Sequence, residues 1–163
     1  MVPVCLPWKS NDPGRNLNVG KRTTVTGWGR VHNNNFINRQ QLSRQGVAHE
    51  ILQKANLPIA KSEDCSEKFI DFNNRTQICA GGEKGKKMLP FIILSNKCIS
   101  FVSGVDSCKG DSGGPLTYRK NSDEPWFQVG LVSYGKSVCG VDSPGVYTKI
   151  SSFVPWIEAN MKT

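Results

Sequence analysis

Thr23-Thr24-Val25-Thr26 is a β-branched run stopped by Gly27-Trp28-Gly29, a pattern that predicts a strand ending in a tight turn. Polar residues follow. Asparagine and glutamine dominate from Arg30 to Gly46, which predicts a surface loop rather than a linker between domains. Strand character returns from Val47 to Ile59, with Leu57-Pro58 near its end. Ser62-Glu63-Asp64-Cys65 supplies a capping residue and an acidic first turn for a short helix within Ser62 to Phe72. Val129 to Tyr134 and Gly145 to Ile150 read as further short strands. Ser151 to Met161, with a serine start, Pro155 in the first turn and an apolar face, predicts a closing helix. No internal repeat is visible.

Composition sharpens this picture. With 163 residues, 37% of them hydrophobic, and 16 glycines, the chain is long enough for one packed domain and is turn-rich like a β protein. Lysine and arginine total 21 against 13 acidic residues, a formal charge of +8. The positive residues are scattered singly or in pairs, so the charge reads as a solvated surface and no nucleic-acid partner is expected. Six cysteines without CxxC pairs or a neighbouring histidine cluster argue against a metal site and for disulfides, hence for an oxidising, extracellular setting. Composition alone fixes none of the pairings. The N-terminal Met1 to Trp8 lacks the apolar core of a signal peptide, so the expectation is a chain that begins inside a longer secreted protein. Asn74-Arg75-Thr76 is a glycosylation acceptor and agrees with secretion.

The segment Asp106-Ser107-Cys108-Lys109-Gly110-Asp111-Ser112-Gly113-Gly114-Pro115-Leu116 carries the chemistry. A serine flanked by glycines sits where backbone can approach a substrate carbonyl closely. The N–H groups of Gly110 and Ser112 can aim at one point and stabilise a developing oxyanion, each such donor lowering a barrier by about 3 kcal/mol. Asp111 is acceptor-only when ionised, so buried there it needs a cationic partner, and no neighbour in sequence offers one.

This segment resembles the active-site signature of the trypsin/chymotrypsin-like serine proteases, whose triad mechanism is the standard case of nucleophilic acyl transfer. Further landmarks follow in family order: Gly27-Trp28-Gly29, Gln77-Ile78-Cys79-Ala80-Gly81, Ser133-Tyr134-Gly135, Pro144-Gly145-Val146-Tyr147 and the Trp156 helix. The resemblance implies an all-β fold, the second antiparallel Greek-key β-barrel of the two-barrel fold, with a C-terminal helix. It implies Ser112 as nucleophile, Gly110 and Ser112 as oxyanion hole, and Asp111 as the carboxylate that receives a new N-terminus after zymogen cleavage. Asp106 would floor the specificity pocket and select Arg or Lys, with Gly135 and Gly145 as open pocket walls. Ser133, Tyr134 and Gly135 would pair with substrate as an added antiparallel strand. Family spacing pairs Cys65 with Cys79 and Cys108 with Cys139. Thr23 and Tyr118 stand where many relatives have a further bridge. Cys5, in Val4-Cys5-Leu6-Pro7, resembles the cysteine that tethers the domain to an upstream regulatory segment. The pattern is most similar to arthropod clip-domain proteases of melanisation and immune cascades, which implies a zymogen as protein substrate and no cofactor.

Two departures qualify the resemblance. The family's histidine base and its aspartate belong to a first barrel, upstream of Val4 to Pro7, so residues 1–163 read as a partial peptidase domain. His32 and His49 are the histidines present, the first in the polar loop and the second in a strand-like run. The expectation is therefore a chain inactive by itself; the alternative is a non-catalytic protease homologue that acts as a binding cofactor. Residues 87–105 are the second departure, because Gly85-Lys86 joined to Asp106-Ser107-Cys108 reads as an ordinary member. This stretch contains the extra Cys98 and the apolar run Met88 to Leu94, too short and interrupted to span a membrane. It reads as a retained intron or gene-model error, with an exosite loop as the functional alternative.

Overall fold

The computed structural model describes residues 3–31, 47–48, 50–82, 106–136 and 143–161. Most of the polar loop, His32, His49, residues 87–105 with Cys98, and Cys139 lie outside them.

Eight strands and two helices follow in the order β1 (Arg22–Gly27), β2 (Arg30–Val31), β3 (Val47–Ala48), β4 (Gln53–Pro58), α1 (Ser62–Ser66), β5 (Gln77–Gly81), β6 (Pro115–Tyr118), β7 (Phe127–Tyr134), β8 (Pro144–Lys149) and α2 (Ile150–Asn160). Six strands form one antiparallel sheet in the order β4-β1-β6-β7-β8-β5. The sheet curls until its edges touch: Ile59 bridges Ala80, and the Ala60 N–H donates to Cys79 O at 2.8 Å. Joining the two edges removes most of the unpaired backbone that an open sheet presents. The all-β architecture with a C-terminal helix is the one expected.

Alternation sets the interior. Thr23 and Val25 of β1 point inward, as do Leu116 and Tyr118 of β6 and Phe127 and Val129 of β7. Tyr147, Leu57 and Leu116 are fully buried among them, each contributing about 1.5–3 kcal/mol by leaving water. Thr23 is a buried polar side chain, and its Oγ1 donates to Leu57 O at 2.8 Å, which satisfies the hydroxyl. A smaller cluster of Cys65, Cys79 and Val146 packs beside α1, and the Cys65–Cys79 disulfide has formed as expected.

Three local expectations need correction. The run Val47 to Ile59 is two strands, because β3 pairs with β2 in a separate ribbon while β4 pairs with β1, and the exposed Ile51 and Leu52 lie between. Helix α1, which lies within the Ser62 to Phe72 stretch as expected, ends at Ser66, where Cys65 O takes both the Lys68 and Phe69 N–H groups and the chain continues in turns. Neither helix has the serine cap expected: Lys61 and Lys149 occupy the cap positions without a side-chain cap bond, and Ser152 Oγ instead donates to Arg75 O at 2.6 Å. Pro155 lies inside α2 rather than in its first turn, since the helix begins at Ile150.

Candidate active site

Two segments far apart in sequence meet at Asp111. Its Oδ1 accepts the Gly29 N–H at 2.7 Å and its Oδ2 accepts the Cys108 N–H at 2.9 Å. Thus the partner expected to be cationic is a pair of backbone amides, which stabilise a carboxylate by the same charge-assisted bonding. The Gly27-Trp28-Gly29 turn is glycine-rich for a steric reason: a Cβ at Gly27 or at Gly29 would fall on the Asp111 carboxylate. Arg30 N–H to Lys109 O, 2.9 Å, holds the two segments together a second time.

This clamp fixes the turn that carries Ser112. Asp111 N–H donates to Cys108 O at 3.0 Å and Gly114 N–H to Asp111 O at 2.8 Å, while Gly113 N–H reaches Val132 O at 2.9 Å. Gly110 takes φ of 101°, a conformation that side chains resist, and this turns its peptide outward. The N–H groups of Gly110 and Ser112 make no hydrogen bond among the described residues, and both residues are exposed. Cys108 is disulfide-bonded; the Cys139 assigned to it by resemblance lies outside the described residues.

Asp106 sits behind this turn, half-buried between β5 and β8. A Cβ at Gly145 would come 3.3 Å from Asp106 Oδ1, and one at Gly81 would come 3.6 Å from it. Gly135 faces Gly145 across the gap, where a Cβ would be 3.9 Å from Gly145 Cα. Asp106 Oδ1 accepts from Ser107 N–H at 2.8 Å and from the Tyr147 hydroxyl at 3.2 Å, and Ser107 Oγ lies 2.9 Å from Tyr147 Oη. Burial raises the carboxyl pKa to about 6; the Ser107 amide and the two hydroxyls oppose that rise, and the Asp111 charge adds to it. Burial and the neighbouring Asp106 charge push the Tyr147 hydroxyl up, so it stays a donor. Among the described residues no cation pairs with Asp106.

Beside this gap, β7 and β8 lose register between Val132 and Tyr134, leaving Ser133 as an extra residue in a bulge that re-aims the strand end. Ser133, Tyr134 and Gly135 are exposed there, and Tyr134 packs edge-on against Phe69 with ring centroids 5.4 Å apart. Gly110, Asp111 and Ser112 thus share one turn, Gly135 and Gly145 flank Asp106, and Ser133 and Tyr134 lie at the adjoining strand end, while Cys65 and Cys79 belong to the cluster at α1. Ser107 and Tyr147 were not named. Ser107 adjoins Asp106, and Tyr147 is two residues beyond Gly145 on the same strand face, a period-two signal that was available. Two clefts, of about 340 and 220 Å³, open elsewhere, and neither is lined by Ser112 or Asp106. Among the described residues no cluster fit to hold a metal ion occurs, and no helix is long and apolar enough to cross a membrane.

Both the sequence and the fold resemble those of known proteins. The family model named Trypsin matches residues 1–89 and 93–157. Phenoloxidase-activating factor 1 of Holotrichia diomphalia is 36% identical over 98% of this chain, which covers 35% of that relative. Melanization protease 1 of Drosophila melanogaster is 33% identical over 99% of this chain, covering 34% of its length. The chain therefore spans about a third of the length of these two curated relatives. Among solved structures, neuropsin, a serine protease expressed in mouse brain, superposes with a TM-score of 0.66 at 25% identity, over 99% of this chain and 55% of that one. A match of this extent, in sequence and in fold, makes the chain a member of the trypsin family of serine proteases.

Proposed function

We propose that this chain supplies the nucleophile and specificity half of a secreted endopeptidase that cleaves after Arg or Lys. The observation that carries the reading is Asp106: a half-buried carboxylate between glycine walls, bonded to neutral donors and unpaired with any described cation. Such a group gains most from a cationic side chain entering the gap, with a guanidinium or ammonium replacing the water that burial removes. Ser112 Oγ then attacks the carbonyl following that side chain, and the Gly110 and Ser112 N–H groups receive the negative oxygen. The peptide C–N bond breaks as the amine leaves, and water releases the acyl group from Ser112. The exposed end of β7 at Ser133, Tyr134 and Gly135 pairs with the substrate backbone. No cofactor is required.

The general base is the missing part. His32 and His49 are the histidines of the sequence, and both lie outside the described residues. In this reading the base and its aspartate come from a first barrel of the same protein, residues 1–163 form a partial peptidase domain inactive alone, and residues 87–105 are an insertion. Asp111 exchanges an amide partner for the new N-terminus on activation, and Cys5, half-buried and free, is the tether to an upstream segment. The names of the melanisation relatives favour an extracellular cascade with another zymogen as substrate.

The test is turnover of matched Arg, Lys and Ala peptides by the activated full-length protein and by the 163-residue chain. The expected result is Arg and Lys cleavage by the former alone, abolished by Ser112→Ala and reduced at least about a hundredfold by Asp106→Ala. Turnover by the short chain that Ser112→Ala removes would overturn the inactivity. A full-length protein that never cleaves yet binds a cascade protease would favour a non-catalytic cofactor.

A further inference from the structure

Between α1 and β5 the chain makes a turn in which two consecutive asparagines have different work. Asn73 builds the turn. Its carbonyl accepts the N–H groups of Thr76 at 3.1 Å and Gln77 at 2.9 Å, its Oδ1 accepts Arg75 N–H at 3.0 Å, and its own N–H donates to Gln77 Oε1 at 2.8 Å. These are the bonds for which asparagine is favoured in turns. Asn74 makes none of them. Its side chain is exposed and hydrogen-bonds to no described residue, so turn formation does not account for the amide at this position.

What does account for it is the spacing Asn74-Arg75-Thr76, the one Asn-x-Ser/Thr in the sequence. The turn is also pinned: Arg75 O accepts Ser152 Oγ at 2.6 Å and Thr76 O accepts Lys149 N–H at 2.8 Å, so Asn74 is held outward at its apex. Oligosaccharide transfer precedes folding, and the half-buried Thr76 hydroxyl needs to be accessible only then. The finished fold has only to leave Asn74 in water.

We propose that Asn74 carries an N-linked glycan. The co-reactant is an oligosaccharide joined to a lipid diphosphate. Asn74 Nδ2 bonds to the anomeric carbon as the carbon–oxygen bond to the diphosphate breaks; the amide gives up one proton, the lipid diphosphate leaves, and nothing is oxidised. Asp106 lies beside Gly81 at the other end of β5, about 13 Å along a strand that rises about 3.3 Å per residue. The turn that carries Asn74 is therefore at the end of β5 opposite the Asp106 gap.

The inference rests on the secreted reading but not on the proteolytic one. Full-length protein is expressed in insect cells with an added secretion leader, and the tryptic peptide 69–75 is analysed by mass spectrometry. Enzymatic glycan release in heavy-oxygen water should label Asn74 and not Asn73. Thr76→Ser should keep the modification, while Asn74→Gln and Thr76→Ala should reduce it to undetectable levels. An unmodified 69–75 peptide in the secreted parent, or a glycan that survives Asn74→Gln, would overturn the proposal. Export under the protein's own leader is scored separately: its failure counts against the secreted reading and leaves the result at Asn74 standing.

Discussion

A buried carboxylate with no cation beside it costs stability whenever it is charged, and Asp106 makes that cost measurable. Its carboxyl titrates at 3.8 in an unperturbed chain and at about 6 in the fold. Between those values the folded state keeps a proton that the unfolded state has released, so this group's contribution is full below about pH 4 and is lost as pH rises through 6. Asp106→Asn removes the ionisation. Its melting temperature relative to the parent should therefore be higher near pH 8 than near pH 4, and equal offsets at both would contradict the burial argument. Around Asp111, whose oxygens accept the Gly29 and Cys108 amides, the constraint is steric. Here the sensitive position is a glycine: Gly29→Ala drives a methyl into the carboxylate, for an expected loss of about 1–3 kcal/mol in denaturant unfolding. Gly135→Ala is the control. A Cβ there makes only an ordinary contact at 3.9 Å and should change stability by less than about 0.5 kcal/mol.

At the level of elements, the one helix–strand connection that is covalently braced is α1 to β5. Cys65 and Cys79 close a loop of 14 residues, and the cluster they form with Val146 is small. Replacing both by alanine should lower unfolding free energy by about 3 kcal/mol on the chain-entropy account, read from the denaturant midpoint under oxidising conditions. An unchanged midpoint would mean that the packing of α1 alone holds this corner. The same corner shows what sequence conveys and what it omits. The acidic first turn of α1 was legible from Glu63 and Asp64, but the helix end was not, because it depends on Cys65 O accepting two amides. Strand β1 was legible as a β-branched run, whereas β6, only four residues beginning with proline, was not: its pairing with β1 and β7 makes it a strand. The split of Val47–Ile59 into two strands likewise follows from partners, which local pattern does not encode.

Across the whole molecule, the candidate site was legible through the resemblance of its glycine and carboxylate motifs to a known family, and the glycines beside Asp111 and Asp106 show the backbone approach that such motifs require. Ser107 was missed because a hydroxyl beside a half-buried carboxylate has no local signature, and Tyr147 because its period-two spacing from Gly145 identifies a face but not a partner. The chain also exposes large apolar side chains, with Trp28, Ile70 and Trp156 at 59%, 98% and 65% exposure. On its own the 163-residue chain is expected to self-associate; light scattering from a stable monomer at micromolar concentration would refute that. One tie described above bears on how the protein comes to be armed. Asp111 draws its amide partner from 82 positions earlier in the chain, so the loop bearing the serine is shaped only once that distant turn has docked. In the proposed reading, a nascent or partly denatured copy therefore holds the hydroxyl without the frame that would position it for attack.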